Sequence, residues 1–380
     1  MDRLSQIINN RLRLTRRFGG RSIAPILAIL ALLLVTSSGC VHEFPELPDR
    51  VSFKLKLNFS TDMPQWEYPI PSVSSSTRTE VPSKTVQTSG EMRYIVRLYK
   101  RDASAPATRA VRATDPYQEF TFTRNIADGG YDAVFDIETY SGDYSVMVWA
   151  DLIENPGDRR YYDAADFSQI RLDKPHSGNN DYRDAFRGLT DVEFIAEAVE
   201  HDAPTVEVEM VRPLAKYEFV STDLPKFISQ EVYAAVSRGE ISQADLATEG
   251  NDPSRLVDIE SYGVKFYYIG FMPNTFSMMT DKPVDSTTGI VFDSKIRLLN
   301  DSEASVGFDY VFVNGTKATV TVQIAIFNTD GEQISLTSPI DVPLIRSKHT
   351  LMKGEFLMQN ATGGVGIDPS FNGDHNIVIP

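Results

Sequence analysis

From residue 51 onward, apolar and polar side chains alternate with a period of two over most of the chain. Val51, Phe53, Leu55, Leu57 and Phe59 interleave with Ser52, Lys54, Lys56 and Asn58, which predicts a strand with one wet face. Met92, Tyr94, Val96 and Leu98 form one face of a second strand. Phe120 and Phe122 mark a third, and Tyr131, Val134, Phe135 and Ile137 a fourth. Gly142 and Asp143 predict a turn into 144–151 (YSVMVWAD), whose middle is apolar on both faces and so predicts a central strand. Val206, Val208 and Met210 resume the alternation and RPLAKYEFV follows at 212–220. Further strand-like runs lie at 264–271, 306–313, 318–327 and 350–358, with an Asp-Gly hairpin turn at 328–331. The segment 376–379 reads as a terminal strand.

Three stretches break the pattern. The run 227–247 has helix formers and no Pro, and Gly239 is expected to split it into two short helices. Residues 69–90 are rich in Pro, Ser and Thr and predict a long loop. Residues 151–184 are polar and tyrosine-rich, with little periodicity. Many short strands, frequent turn residues and little helix predict an all-β chain of two tandem β-sandwich domains, with a short helical insertion in the second. The break falls near 205, giving 51–205 and 206–380.

The first 50 residues are different. Six arginines precede the apolar run 23–35, and Thr36, Ser37, Ser38 and Gly39 lead to Cys40, the one cysteine of the chain. A basic flank, a short apolar core and small residues form a secretory signal, here 1–39. Its core is shorter than the roughly 20 residues a membrane-spanning helix needs. The thiol after Gly39 is the expected lipid site, with palmitate among the acyl groups, and 40–50, with two prolines, is the expected tether to the fold. Removing 1–39 takes away six Arg and Asp2, which moves the formal charge from −15 to −20. An acidic surface without a basic stripe disfavours nucleic acid as a partner. With its one thiol lipidated, the chain must be held by apolar cores.

Motifs for catalysis are missing. None of His42, His176, His201, His349 and His375 pairs with another His or Cys at metal-ligand spacing, and they read as exposed or capping residues. There is no G-x-S-x-G elbow. The glycines at 363–366 lack the Lys-Ser/Thr of a phosphate loop and read as a turn. Residues 281–285 hold two acids without the alternating oxygens of a calcium loop. No cofactor, metal or enzymatic activity is expected. A glycosidase remains the enzymatic alternative, since two carboxylates brought together by folding leave no sequence spacing to test. The aromatic cluster Tyr161, Tyr162, Phe167 and Tyr182 offers either a sugar-stacking platform or a set of pins for a long loop, and pinning is favoured.

The leader ending in Cys40, GDYSVMVWAD at 142–151, RPLAKYEFV at 212–220 and VKFYYIGFMPNTF at 264–276 together resemble the fimbrillin-like lipoproteins of Bacteroidetes. So do VPLIRSKHTLMKGEFL at 342–357 and ATGGVGIDPSFNGDHNIVI at 361–379. The resemblance spans most of the chain after the leader. It implies transthyretin-like sandwiches, attachment to the outer membrane through the lipid on Cys40 with display at the cell surface, and fimbrial subunits as partners. It also implies partner engagement by β-strand addition. Stalk subunits of this kind are cut after a basic residue in an early loop, which would place processing at Arg78 or Lys84 and free strand 51–59; an anchor would keep it. Asp285-Ser286-Thr287 resembles a short O-glycosylation site of these bacteria, with Ser286 as acceptor. The expected function is that of a non-enzymatic, lipid-anchored fimbrial accessory, anchor or adhesin-like protein. The alternative is a surface glycan-binding lipoprotein of a carbohydrate-uptake system.

Overall fold

The alternation at 51–59 does become a strand, but one that is paired on both sides. The structure is a computed structural model and describes residues 49–69, 89–101, 115–154, 159–195, 203–242, 244 and 256–358. In chain order its strands begin with β1 (Arg50–Phe59), β2 (Gln65–Pro69), β3 (Glu91–Lys100), β4 (Gln118–Asn125), β5 (Asp132–Tyr140) and β6 (Gly142–Glu154). The short β7 (Arg159–Arg160), β8 (Tyr162–Asp163) and β9 (Ile170–Leu172) precede β10 (Ala185–Phe194), β11 (Thr205–Met210) and β12 (Leu214–Ser221). Helix α1 (Leu224–Arg238) leads to β13 (Gly263–Tyr268), β14 (Met272–Ser277), β15 (Lys282–Thr287), β16 (Val291–Lys295) and β17 (Arg297–Leu298). The series closes with β18 (Ala304–Phe312), β19 (Lys317–Phe327), β20 (Gln333–Leu336), β21 (Ile340–Ile345) and β22 (His349–Gly354).

These strands build two β-sandwiches. In the first, β1 lies between β5, antiparallel from Arg50↔Tyr140 to Asn58↔Asp132, and β11, parallel from Lys54↔Thr205 to Phe59↔Met210. The facing sheet runs β10-β6-β3-β4. Val51, Phe53, Leu55 and Leu57 are buried against Tyr94, Val96, Leu98, Val146 and Val148. Burying a side chain of this size is worth about 1.5–3 kcal/mol, which is what holds β1 in register. As its two apolar faces imply, β6 is central, between β10 and β3. The chain reverses one residue earlier than the sequence suggests. Gly142 already belongs to β6, at φ 142°, a conformation that favours glycine. The strand from Thr205, placed by the sequence at the opening of the second half, pairs with β1 because Val206, Val208 and Met210 fill the first core.

Both seams of this sandwich are stitched. Arg187 and Val211 exchange backbone hydrogen bonds of 2.9 and 3.0 Å between β10 and the end of β11. On the other side Arg124 Nη2 donates to the Val134 carbonyl at 2.6 Å, and Thr139 Oγ1 donates to Gln118 Oε1 at 2.5 Å. Such cross-links blunt strand edges that would otherwise template pairing. At the first seam Gly188 is obligatory, since a Cβ there would lie 2.4 Å from Val208 Cγ1 and 2.5 Å from Met210 Sδ. Gly188→Ala is expected to lower stability by about 1–3 kcal/mol through overpacking, measured by denaturant titration; an unchanged midpoint would show that the seam can open freely.

The second sandwich pairs the sheet β17-β18-β12-β22-β2 with β16-β13-β19-β20, to which β21 adds along β19. Tyr217, Phe219, Phe266, Phe292, Ile324 and Met352 belong to its core. Helix α1 packs Leu224, Phe227, Ile228 and Val232 on that core, with Phe227 edge-on to Tyr262 at 5.2 Å. It starts three residues before the expected stretch, because Pro225 fits the first turn, where a missing N–H costs nothing. Gly239, at φ 77°, ends the helix instead of dividing it, its N–H bonding back to the carbonyls of Ala235 and Val236. Of the expected second piece, 243 and 245–247 lie outside the described residues. The hairpin at 328–331 is present between β19 and β20, with Gly331 at φ 81°.

One strand breaks the simple tandem order. After β1 the chain crosses to the second sandwich, where β2 runs parallel to β22 from Gln65↔His349 to Pro69↔Lys353. It is the outermost strand of that sheet. A small sheet, β15-β14-β9-β8, similarly joins 162–172 to 272–287. Between the sandwiches lies a third apolar cluster in which Ile95, Met147, Trp149, Tyr162, Phe167 and Ile170 meet Leu214, Tyr310 and Phe312.

Candidate functional site

The tyrosine-rich segment forms the floor of the junction between the sandwiches. Tyr161, Tyr162 and Phe167 are buried and Tyr182 is half-buried. Tyr162 OH donates to the Arg183 carbonyl at 2.5 Å, and Asn180 Nδ2 donates to Tyr161 OH at 2.7 Å. Rings held this way pin the loop and offer no stacking platform. Burial pushes the Tyr161 hydroxyl up to about 12, with the help of Glu154.

Two arginines lock the junction. Arg212, fully buried, donates from Nε to Asp184 Oδ1 at 2.8 Å and from Nη2 to Oδ2 at 2.8 Å. Its Nη1 donates to the carbonyls of Ser60, Thr61 and Asp62 at 3.1, 3.0 and 3.2 Å, and its guanidinium lies over the Phe186 ring at 4.5 Å. The link from β1 to β2 is therefore held along three consecutive carbonyls, and Met63 beside it is buried in the third cluster. The second arginine, Arg183, donates to Asp309, which also accepts from Tyr268 OH at 2.8 Å and contacts His176 Nε2 at 2.7 Å. Burial raises the Asp309 carboxyl, but Arg183, His176 and Tyr268 outweigh it and hold it below its usual range. Burial and the Arg183 charge lower the His176 pKa. Nearer the surface, Asp281 accepts from both Arg187, at 2.9 and 2.7 Å, and Arg346, at 2.7 and 3.1 Å. The acid at 281 thus fastens the two sandwiches together.

Beside the junction, the outer face of the β17-β18-β12-β22 sheet carries an open cavity of about 590 Å³. Lys216, Glu218, Ser305, Phe308 and His349 line it from the sheet, with Asn179 to Tyr182, Glu260 and 295–297 around them. A register shift between β12 and β18 at Phe219/Val220 accompanies Gly307, at φ 150°. Such irregularities re-aim neighbouring side chains, and here Ser305 Oγ donates to Glu218 Oε1 at 2.6 Å. His349 Nε2 lies 3.2 Å from the other Glu218 oxygen, both side chains buried. Burial pushes Glu218 up, yet His349, Ser305 and Lys216 prevail and bring it down to about 2. The two histidines within the described residues are therefore buried partners of carboxylates, not the exposed or capping residues the sequence suggests; turn-like neighbours hide a partner brought in by folding.

These shifts fix the acid response. A depressed carboxyl stabilises the fold above its ordinary 4.5 and loses that contribution as pH falls towards about 2. A histidine held neutral loses its contribution as pH falls below its ordinary 6.5. Melting temperature is expected to decline first below about 6.5 and again below about 4.5. Glu218→Gln should flatten the second decline; a variant that melts in parallel with the parent at every pH would refute the assignment.

Cys40, Arg78, Lys84, His42, His201, His375 and the glycines at 363–366 lie outside the described residues. Ser286 lies on β15, the outermost strand of the small sheet, half-buried opposite Pro273, and its N–H donates to Asp285 Oδ1 at 2.8 Å. Among the described residues no group of His, Cys, Asp or Glu could hold a metal ion, and no helix is long and apolar enough to cross a membrane. The arginine locks and the cavity were missed from sequence, because their members come together only on folding: Arg183 and Asp309 are 126 residues apart.

An all-β chain of two sandwiches, joined by crossing strands and buried ion pairs, defines the class. Residues 48–380 match the family of unknown function DUF6562, and the chain belongs to that family. No curated protein matches it. Among solved structures it is similar to the fimbrial anchor protein Mfa2 from Porphyromonas gingivalis, at 12% identity and TM-score 0.34, over 75% of this chain and 82% of that one. A fimbrial assembly protein from Parabacteroides distasonis matches at 12% identity and TM-score 0.34, over 83% and 93% of the two chains. A candidate cell adhesion protein from Bacteroides eggerthii matches at 11% identity and TM-score 0.36, over 84% and 90%.

Proposed function

We propose that this chain is a non-enzymatic fimbrial accessory protein of the anchor type, held at the outer membrane by lipid on Cys40 and displayed at the cell surface. The observation that carries the anchor reading is the retention of β1. That strand is paired on both sides, its apolar face is buried, and the link leaving it is gripped by Arg212. The chain then adds β2 to the second sandwich. Cutting at Arg78 or Lys84 would sever the backbone after β2 but leave both strands bound by these contacts. Partners would instead add a strand at an outermost position, such as the open side of β2 or β15. Ser286, on β15, is proposed as the O-glycosylated residue.

The test compares the lipid-free chain with and without residues 51–59 by light scattering and circular dichroism. An anchor requires the truncated chain to be unfolded and the intact chain to stay folded; a folded truncated chain that assembles would overturn the anchor role in favour of a stalk role. Metabolic lipid labelling should be lost in Cys40→Ala, and equal labelling of parent and variant would remove the membrane attachment.

A further inference from the structure

The cavity beside the junction is not used by strand addition, and its chemistry points to a ligand. Its charged lining is balanced: Lys216, Lys295 and Arg297 face Asp181, Glu218 and Glu260. The floor is fixed by internal pairs, with Lys216 Nζ donating to Asp181 Oδ1 at 2.8 Å and Ser305 Oγ to Glu218. Lys216 Nζ also lies 3.9 Å from the Phe308 ring centre, so its position is set from two sides. On the rim, Glu260, Lys295 and Arg297 are exposed, and Glu260 and Lys295 form no ion pair among the described residues.

We propose that this cavity binds the neutral, polyhydroxylated end of an oligosaccharide, as a free chain or as a glycan on another molecule. Four observations argue against apolar, strongly anionic, strongly cationic and metal ligands. Drug-like and lipid ligands need a mostly apolar lining, which Phe308, Ile296 and the half-buried Tyr182 do not supply. A phosphate or other strong anion would meet Asp181, Glu218 and Glu260. A strong cation would meet the lysines and the arginine. The described residues offer no metal site. Sugar hydroxyls both donate and accept, which suits an even mixture of carboxylates, amides and cations. Carboxylates and cations that are already ordered give stronger hydrogen bonds than neutral groups, at little ordering cost. The volume lies within the roughly 300–1,000 Å³ of small-ligand sites. This inference goes beyond the anchor role and does not depend on it.

The experiment uses the full chain after the leader, carrying Cys40→Ala, on a printed array of neutral and acidic oligosaccharides. The strongest neutral hit is then titrated as the free oligosaccharide by calorimetry, which separates recognition of the sugar from recognition of its carrier. Glu260→Ala and Arg297→Ala, both at exposed rim positions, are measured alongside, with melting curves to confirm the fold. Each is expected to weaken binding about tenfold or more, the loss of one charge-assisted hydrogen bond. Three results would each overturn the proposal: no neutral glycan retained, equal affinity in folded rim variants, or binding confined to acidic glycans.

Discussion

Arg212→Ala is expected to destabilise the protein by about 3–5 kcal/mol, a large part of the 5–15 kcal/mol that separates a folded domain from its unfolded chain. Removing the guanidinium leaves Asp184, 1% exposed, without its bidentate partner. The carbonyls of Ser60, Thr61 and Asp62 lose a shared donor at the same time. A buried charge left alone costs more than the pair was worth, because its desolvation is no longer offset. The control is the double variant Arg212→Met with Asp184→Leu, which removes both charges and should recover much of the loss. Denaturant titration of the three proteins decides the matter: a single variant as stable as the parent would show that the junction does not depend on this pair.

Asp309→Ala should have an effect of similar size, about 3–5 kcal/mol, for the mirrored reason. Here the stranded charge is Arg183, and the carboxylate lost is the common acceptor of Arg183 and Tyr268 and the neighbour of His176. Because Asp309 sits on β18 and Arg183 precedes β10, the variant should also loosen the contact between sandwiches. Limited proteolysis is the added readout. New cleavage around 173–184 is expected in the variant, and an unchanged digestion pattern together with an unchanged midpoint would refute the role.

What the sequence made legible was local. Alternation over 51–59 and 318–327 and the two-faced apolar run at 144–151 need no partner to be recognised, and an Asp-Gly pair marks a hairpin wherever it occurs. The strand β10 was missed because AFRGLTDVEF alternates poorly, its Gly188 serving the crossing of β11 and not its own face. β2 was missed just ahead of the Pro/Ser-rich stretch, with which it shares only Pro69, and its pairing with β22 joins distant parts of the chain. The buried histidines were misread for the same reason, since Asp309 and Glu218 reach them only through tertiary structure. The helix was legible, but its Pro225 start and Gly239 stop depended on knowing where the first turn fell. The lipid site remains a statement of the leader's residues alone.

The crossing of β2 has a mechanical consequence. If the chain is held from before Arg50, as proposed above, a pull would enter at Arg50 and travel along the axis of β1, loading both of its ladders in shear, so that their hydrogen bonds share the load and do not open one at a time. Beyond Phe59 the load reaches the carbonyls gripped by Arg212, and then the parallel pairing of β2 with β22. Tension entering at Arg50 would thus pass through the central strand of the first sheet and reach the far sandwich by Pro69, within twenty residues. Resistance to force is governed by the rate of unfolding under load, and this route places both sandwiches in the load path together.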